Sequence, residues 1–200
     1  MKKMIKINLL LFFIIIFFGN QVINAKDYPN EYVSIKYKLK NYSIIASNQM
    51  AIWIKDLKGN YITTIYATKF MARGGYKERE DCCPIWRSEV NWENASKKEI
   101  DSVSAATQKS GIQEVLWNCR DKNGSLVKAG TYIYQIEVNI YYDERILFIG
   151  KIEIGGNKNS SKPEIKYYHT KYSDKKKKVD KALKKYGNII ESVEVSYTPK

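Results

Sequence analysis

Residues 114–156 read EVLWNCRDKNGSLVKAGTYIYQIEVNIYYDERILFIGKIEIGG, and the predicted fold rests on this stretch. Apolar and polar residues alternate on both sides of residues 121–124, DKNG, in which Asn and Gly tolerate the positive φ of a tight turn. In the run after Gly130, one face carries Tyr132, Tyr134, Ile136, Val138 and Ile140, and the other carries Thr131, Ile133, Gln135, Glu137 and Asn139. This period of two predicts antiparallel strands that are buried on one face and solvated on the other.

The same residues carry a resemblance to known modules. Residues 117–134 are similar to the WDG-DxxGxxVPAGTYxY pattern of immunoglobulin-like modules, one of which is the repeat of the flagellar hook-capping protein. The exported part as a whole resembles more closely the predicted periplasmic proteins of the domain-of-unknown-function 2271 family. The further landmarks are MAIWI at 50–54, GNY at 59–61, TIYAT at 64–68, PIW at 84–86 and DSVSAAT at 101–107.

The chain departs from the pattern at Lys128, where Pro is usual, and at Cys119, where Gly is usual. The resemblance implies an all-β fold and a periplasmic location, and it carries no catalytic residue. It also implies support of a redox or iron-uptake system, with a membrane redox or transport protein as the partner.

The amino terminus has the composition of a secretory signal peptide. Lys2, Lys3 and Lys6 precede the apolar run over residues 9–18, and Ala25 offers a small residue for cleavage. The run is about half of the ~20 residues that a membrane-spanning helix needs. The sequence therefore predicts a signal peptide over residues 1–25 and a mature protein in the periplasm or outside the cell.

The mature chain is predicted to be an immunoglobulin-like β-sandwich of about seven strands over residues 26–156. Residues 157–200 are predicted to be a lysine-rich extension made of a strand, a helix and a strand. Of the formal net charge of +13, residues 162–186 contribute +7, from ten lysines less Glu164, Asp174 and Asp180. Export argues against nucleic acid as a partner, so the tail suits an anionic envelope surface. The alternative is a solvated helix face in a lysine-rich composition.

Periodicity stops between residues 70 and 98, which predicts a long loop. Tyr76, Trp86 and Trp92 lie in it, and they suit an aromatic wall that faces a ligand. The alternative is that the tryptophans fold inward and plug one end of the sandwich. Ser96 and Glu99 have the spacing of a capping box, which predicts a short helix over residues 96–106.

The three cysteines predict a disulfide in an exported chain. Cys119 replaces a Gly of the pattern, and the pair Cys82-Cys83 is also unusual for it, so we expect Cys119 to bridge Cys82 or Cys83. A metal site of three thiolates with His169 is disfavoured, because no C-x-x-C spacing is present.

Residues 101–107 resemble the D-x-x-S-G-A-T motif of flavin-binding domains, in which the last Thr is linked to flavin mononucleotide through phosphate. The resemblance implies Thr107 as the acceptor, with Ser104 and Asp101 beside it. Ala105 stands where those domains have Gly, and its Cβ is an obstacle to a phosphate. The alternative is a helix end in which Ser104 and Thr107 satisfy backbone groups.

The sequence lacks G-x-S-x-G, H-E-x-x-H and a phosphate-binding glycine loop. It therefore favours a non-catalytic binding or accessory module without a cofactor that acts through the loop 70–98. The alternatives are a flavin or thiol redox carrier and a structural module of the cell surface.

Overall fold

Two β-sheets pack face to face in the computed structural model of this chain, which describes residues 30–40, 48–141, 144–169 and 189–200. The strands are β1 (Tyr32–Leu39), β2 (Gln49–Asp56), β3 (Tyr61–Thr68), β4 (Ser104–Ala105), β5 (Gly111–Trp117), β6 (Gly130–Tyr141), β7 (Glu144–Ile154), β8 (Asn159–Ser161), β9 (Glu164–His169) and β10 (Ile190–Thr198). One sheet has the strand order β5-β1-β10-β8, and the other has the order β4-β3-β2-β6-β7-β9. The prediction of an all-β fold is confirmed.

The prediction of about seven strands over residues 26–156 agrees with the seven described there, β1 to β7, and residues 157–200 add β8, β9 and β10. Strands β4 and β8 have two and three residues, which is too short for alternation to reveal them. The helices are α1 (Lys69–Ala72), α2 (Pro84–Val90) and α3 (Lys97–Val103), and 3₁₀ turns cover Gly75–Lys77 and Trp92–Asn94. Within the described residues, no helix is both long and apolar enough to cross a membrane.

Two aspartate turns join the strands, and the second is the turn that the sequence predicts at residues 121–124. Between β2 and β3, Asp56 Oδ1 accepts hydrogen bonds from the amides of Lys58 and Asn60, at 2.9 and 2.8 Å. After β5, Asp121 Oδ1 accepts from the amides of Asn123 and Ser125, both at 2.9 Å. Such side-chain bonds fix the turn and thereby the register of the strands beside it.

The apolar face of β6 lies in the space between the sheets, as its alternation predicts. It packs with β1 and β10 in one cluster, whose fully buried members include Val33, Ile35, Tyr134, Ile136, Val138 and Val195. Cys119 belongs to the same cluster and has φ 54°. That left-handed conformation favours glycine, which is the residue usual at this position of the pattern.

The C-terminal residues are not an extension outside the sandwich. Strand β10 lies inside the four-stranded sheet, between β1 and β8, and Ile35 pairs with Val195. Strand β9 continues the six-stranded sheet beyond β7. Strand β10 therefore belongs to one sheet and β9 to the other. Each pairs with a strand of residues 26–156, β10 with β1 and β9 with β7. The predicted signal peptide and the predicted helix over 175–186 lie outside the described residues.

Candidate binding cleft and the cap beside it

The outer face of the six-stranded sheet is covered by residues 69–103, the cap, which comprises the three helices and the two 3₁₀ turns. The face of β6 that the alternation predicts to be solvated lies beneath it. Gln135, Glu137 and Asn139 are exposed by 4%, 0% and 0%. The prediction of a solvated polar face is therefore wrong here, because non-local segments bury it.

Two indole N–H groups attach the cap to the sheet, and a third joins two parts of the cap. Trp86 donates to Thr64 Oγ1 at 2.9 Å, Trp53 donates to Glu89 Oε2 at 2.9 Å, and Trp92 donates to the carbonyl oxygen of Ala72 at 3.0 Å. The Trp86 and Trp92 rings lie 4.5 Å apart between centroids. A buried indole with its N–H satisfied contributes a large apolar contact area.

The three aromatic residues of the predicted wall are largely buried in the cap, and of these Trp92 borders the cleft described below and Tyr76 borders a second hollow. Trp86, Trp92 and Tyr76 are exposed by 0%, 3% and 8%. The alternative, in which the tryptophans fold inward, matches these positions. They cover the outer face of a sheet, however, and not one end of the sandwich.

Glu137 is the polar centre beneath the cap. Its carboxylate accepts hydrogen bonds from the amides of Trp86 at 2.8 Å and Ile85 at 3.4 Å, and from Arg145 Nη1 at 3.4 Å. Burial raises the pKa of Glu137 to about 7, although these amides and Arg145 act to lower it. A buried acid of this kind is a functional candidate, and it also serves as a structural clamp.

The cysteines divide between the two sides of the six-stranded sheet. Cys82 and Cys83 lie in the cluster under the cap, whereas Cys119 lies in the cluster between the sheets. All three thiols are free and buried. The predicted disulfide from Cys119 to Cys82 or Cys83 is thus not formed, because the sheet stands between the predicted partners.

Each thiol has a raised pKa. Burial raises the pKa of Cys82 to about 11, that of Cys119 to about 12, and that of Cys83 well above its usual range. The Cys82 thiol donates to Asn139 Oδ1 at 3.7 Å, and the Cys83 thiol donates to the carbonyl oxygen of Glu137 at 3.5 Å. Thiolates are the reactive form, so these cysteines suit packing better than redox chemistry.

The residues of the flavin-like motif are spread along the end of α3 and the segment that follows it. Ser96 and Glu99 form the predicted capping box at the start of this helix. Asp101 accepts a hydrogen bond from Arg73 at 2.8 Å, and Ser104 Oγ donates to the carbonyl oxygen of Ile100. Thr107 is exposed and borders a cavity of about 10 Å³, which has room for about one water. Two of the three predicted flavin residues are therefore engaged by the protein itself.

A larger hollow, the cleft, lies between β3, α3 and the loop 118–124, and has a volume of about 530 Å³. Leu116 and Trp117, at the end of β5, also line it. The lining residues used below are Tyr61, Thr64, Glu99, Arg120, Asp121 and Lys122. The loop is the turn of the stretch quoted at the outset, and its role as a wall was not visible in the sequence.

The acidic and the basic side chains of the cleft differ in the contacts that they already make within the protein. Glu99 is held by the amide and hydroxyl of Ser96, and these hydrogen bonds lower the pKa of its carboxyl. Asp121 is held by the amides of its own turn. These bonds use one oxygen of each carboxylate, Oε2 of Glu99 and Oδ1 of Asp121.

Arg120 and Lys122 are exposed, and within the described part of the chain neither forms a salt bridge. Arg120 donates to the carbonyl oxygen of Gly124 at 2.7 Å, and Lys122 Nζ lies 5.9 Å from the Tyr61 ring centroid. Lys122 is close enough to Glu99 to help lower the pKa of that carboxyl, but no acid lies within salt-bridge distance of either cation among the described residues, so the cleft offers two cations to an anionic ligand.

A second hollow of about 710 Å³ on the cap is less suited to binding. Its arginine, Arg87, donates to the carbonyl oxygens of Cys82 and Glu80 and lies 4.7 Å from the Tyr76 ring centroid. It also pairs with Glu93 at 3.4 Å. Because these contacts hold the cap together, Arg87 has little capacity left for a ligand. Among the residues that the structure describes, no group of three or more His, Cys, Asp or Glu side chains is placed to hold a metal ion.

The comparisons with known proteins give one match. Residues 31–168 match the model of a family described as predicted periplasmic protein (DUF2271). No curated protein matches the chain. No solved structure matches it either, so the likeness to immunoglobulin-like modules stays a prediction.

Proposed function

Since the chain belongs to the DUF2271 family of predicted periplasmic proteins, we propose that it is a non-catalytic binding module of the cell envelope. The binding site is the cleft between β3, α3 and the loop 118–124, and the ligand is anionic. The observation that carries the proposal is the pair Arg120 and Lys122, which line the cleft, are exposed and form no salt bridge among the described residues, while Glu99 and Asp121 each accept two hydrogen bonds from the protein.

The frame around the cleft supports a binding function. Lys122 is fixed at its backbone, where its amide donates to the carbonyl oxygen of Ile62 at 3.0 Å. Trp117 holds the same loop, because its indole N–H donates to the carbonyl oxygen of Arg120 at 2.7 Å. A loop held in this way presents its side chains in one arrangement, and this lowers the entropy cost of binding.

The alternatives have less support. A thiol carrier needs a thiolate, and burial raises the pKa of all three cysteines. A flavin carrier at Thr107, a structural surface role and support of a redox or iron-uptake system stay predictions from resemblance. Binding of the lysine-rich tail to an anionic envelope surface also stays a prediction, because most of that tail lies outside the described residues.

The test is a nuclear magnetic resonance titration of the processed chain with poly-L-glutamate. We expect the amide signals of Tyr61, Glu99 and the loop 118–124 to shift, and the affinity to fall with added salt. The double variant Arg120→Ala/Lys122→Ala is expected to bind roughly 30-fold more weakly, since each of the two charged contacts contributes on the order of 1 kcal/mol.

The matched control is Lys77→Ala/Lys109→Ala, which removes the same two positive charges from exposed positions that do not line the cleft. Equal loss of affinity in both double variants would mean that net charge alone attracts the polymer, and the proposed site would be wrong. An intact mass with one added flavin mononucleotide, absent in Thr107→Ala, would instead favour the carrier.

A further inference from the structure

The cleft carries hydrogen-bonding groups of both kinds that the protein leaves unused. The bonds that hold Glu99 and Asp121 use only Oε2 of the first and Oδ1 of the second. Glu99 Oε1 and Asp121 Oδ2 therefore remain as acceptors, since neither has a partner within the described part of the chain. Arg120 and Lys122 supply donors, because Arg120 donates within the protein only through Nη1.

Two free acceptors beside two cations favour a ligand that both donates and accepts. A simple polyanion meets the cations, but it has no donor for the free carboxylate oxygens. A hydroxyl group donates to a carboxylate and accepts from a cationic N–H, so a polyhydroxylated ligand satisfies groups of both kinds. Asn118, which also lines the cleft and is exposed, adds a side-chain amide that donates and accepts in the same way.

The volume and the aromatic lining of the cleft suit a sugar ring. Its volume of about 530 Å³ lies within the range of ~300–1,000 Å³ that is usual for small-molecule sites. The half-buried ring of Tyr61 lies on its wall, and Lys122 Nζ lies 5.9 Å from the centroid of that ring. An acid group bound by Lys122 therefore brings the sugar ring that carries it beside Tyr61, where its apolar C–H groups contact an aromatic surface.

We propose that the ligand of the cleft is an acidic saccharide, of which a hexuronate is the simplest form. This inference rests on the proposed function and names its ligand class. The carboxylate of the sugar binds Arg120 and Lys122, and its hydroxyl groups donate to the free oxygens of Glu99 and Asp121. Hydrogen bonds to charged groups are stronger than those between neutral groups, so these contacts fix the orientation of the sugar ring.

The first test is a nuclear magnetic resonance titration of the processed chain with small ligands that separate the acid from the hydroxyl groups. Methyl glucuronide and methyl galacturonide carry both, methyl glucoside and methyl galactoside lack the acid, and cyclohexanecarboxylate lacks the hydroxyl groups. We expect at least one hexuronate to bind roughly 10-fold more tightly than its neutral counterpart and than cyclohexanecarboxylate, which corresponds to one or two hydrogen bonds. The amide signals of Tyr61, Glu99 and the loop 118–124 should shift.

The second test is Glu99→Gln, which exchanges the free carboxylate oxygen for a neutral group and keeps the capping box, because Gln also serves at this position of the box. We expect the hexuronate to bind roughly 5-fold more weakly, the loss of one charged hydrogen bond. Poly-L-glutamate should bind at least as tightly as before, because a negative charge has left the cleft. Glu153→Gln, at an exposed position that does not line the cleft, makes the same change of charge and should alter neither affinity.

Hexuronates that bind no more tightly than cyclohexanecarboxylate, while poly-L-glutamate binds at the cleft, would overturn the saccharide and leave the anionic binding function standing. Equal or tighter binding of the hexuronate in Glu99→Gln would also overturn the saccharide, because the free oxygen would then not hold a hydroxyl group. No binding of any of these ligands or of poly-L-glutamate would overturn both proposals.

Discussion

The backbone N–H of Trp86 lies 2.8 Å from the carboxylate of Glu137, so an acid in the middle of β6 holds the first turn of α2 against the sheet. The Trp86 indole N–H bonds to Thr64 on β3, so one residue of the cap is attached at two points. Thr64 also lines the cleft and accepts a hydrogen bond from Tyr61 at 3.0 Å. The cap therefore supports the cleft through β3.

Replacement of Glu137 by alanine is expected to destabilise the protein strongly. The change leaves the Trp86 amide and Arg145 without the carboxylate that both contact in a fully buried site. Removal of one partner of a buried ion pair costs about 3–5 kcal/mol. Urea unfolding followed by tryptophan fluorescence measures the loss. Glu153→Ala, at an exposed position of β7, is the control and should change the free energy of unfolding by less than about 0.5 kcal/mol.

The protonation of Glu137 predicts a dependence of stability on pH. Burial raises its pKa from 4.5 to about 7, so between these values the folded state binds more protons than the unfolded state. The contribution of Glu137 to the free energy of unfolding therefore falls as the pH rises from about 4.5 to about 7, and it is level above that. The total change is on the order of 3 kcal/mol.

Urea unfolding at several pH values, with Glu137→Gln as the non-titrating reference, measures this contribution as a difference between the two proteins. The side chains that face Glu137 include Arg145 and the thiols of Cys82 and Cys83, all present in both proteins. A difference that is level over this window, after a rise at lower pH, would show that Glu137 stays ionised in the folded protein and would contradict the prediction.

The sequence predicts one face of β6 correctly and misjudges the other. Tyr134 and Ile136 follow a local period of two, and this period suffices to place them in a core. The burial of Glu137 depends on Ile85 and Trp86, which are about 50 residues away in a segment without strand periodicity. No local pattern carries that information. In the same way, β10 reads as a strand, but its place between β1 and β8 is set by pairing across the whole chain.

The cleft was inaccessible to sequence reasoning for a related reason. The turn at 121–124 is predicted from its Asp, Asn and Gly, yet that pattern does not show which strand the loop leans on. The bridge from Lys122 to Ile62 joins residues 60 positions apart, and the short β4 pairs with β3 only at Ala67 and Thr68. Which segments meet beside a strand is a property of the complete fold and not of that strand alone.

The thiols are expected to be reduced and unreactive in the native protein. They are buried, and burial raises their pKa values. With a thiol reagent at pH 8, three thiols should react in denaturant without reductant, and reaction in the folded state should be limited by unfolding. Ser160→Cys, at an exposed position, is a positive control that should react at once. A mass two hydrogens below that of the reduced chain would show that a disulfide does form.

A methyl group at Gly150 is expected to destabilise the sandwich, whereas the same group at Gly156 is not. A Cβ on Gly150 would overlap the hydroxyl of Tyr134, which hydrogen-bonds to Ser161 of β8 at 3.0 Å. The tyrosine then loses this contact or shifts in a close-packed core, and overpacking of this kind costs about 1–3 kcal/mol.

At Gly156 the nearest atom to the added Cβ is a Glu153 oxygen at 3.7 Å, an ordinary contact, so Gly156→Ala is the matched control. Thermal unfolding of both variants measures the difference, and only Gly150→Ala should have a lower melting temperature. Ser161→Ala, which removes the hydrogen-bond partner and adds no atoms, should cost less than Gly150→Ala. If Gly150→Ala has the same melting temperature as the wild type, the Tyr134 ring does not lie against Gly150 of β7 as it does in the structure.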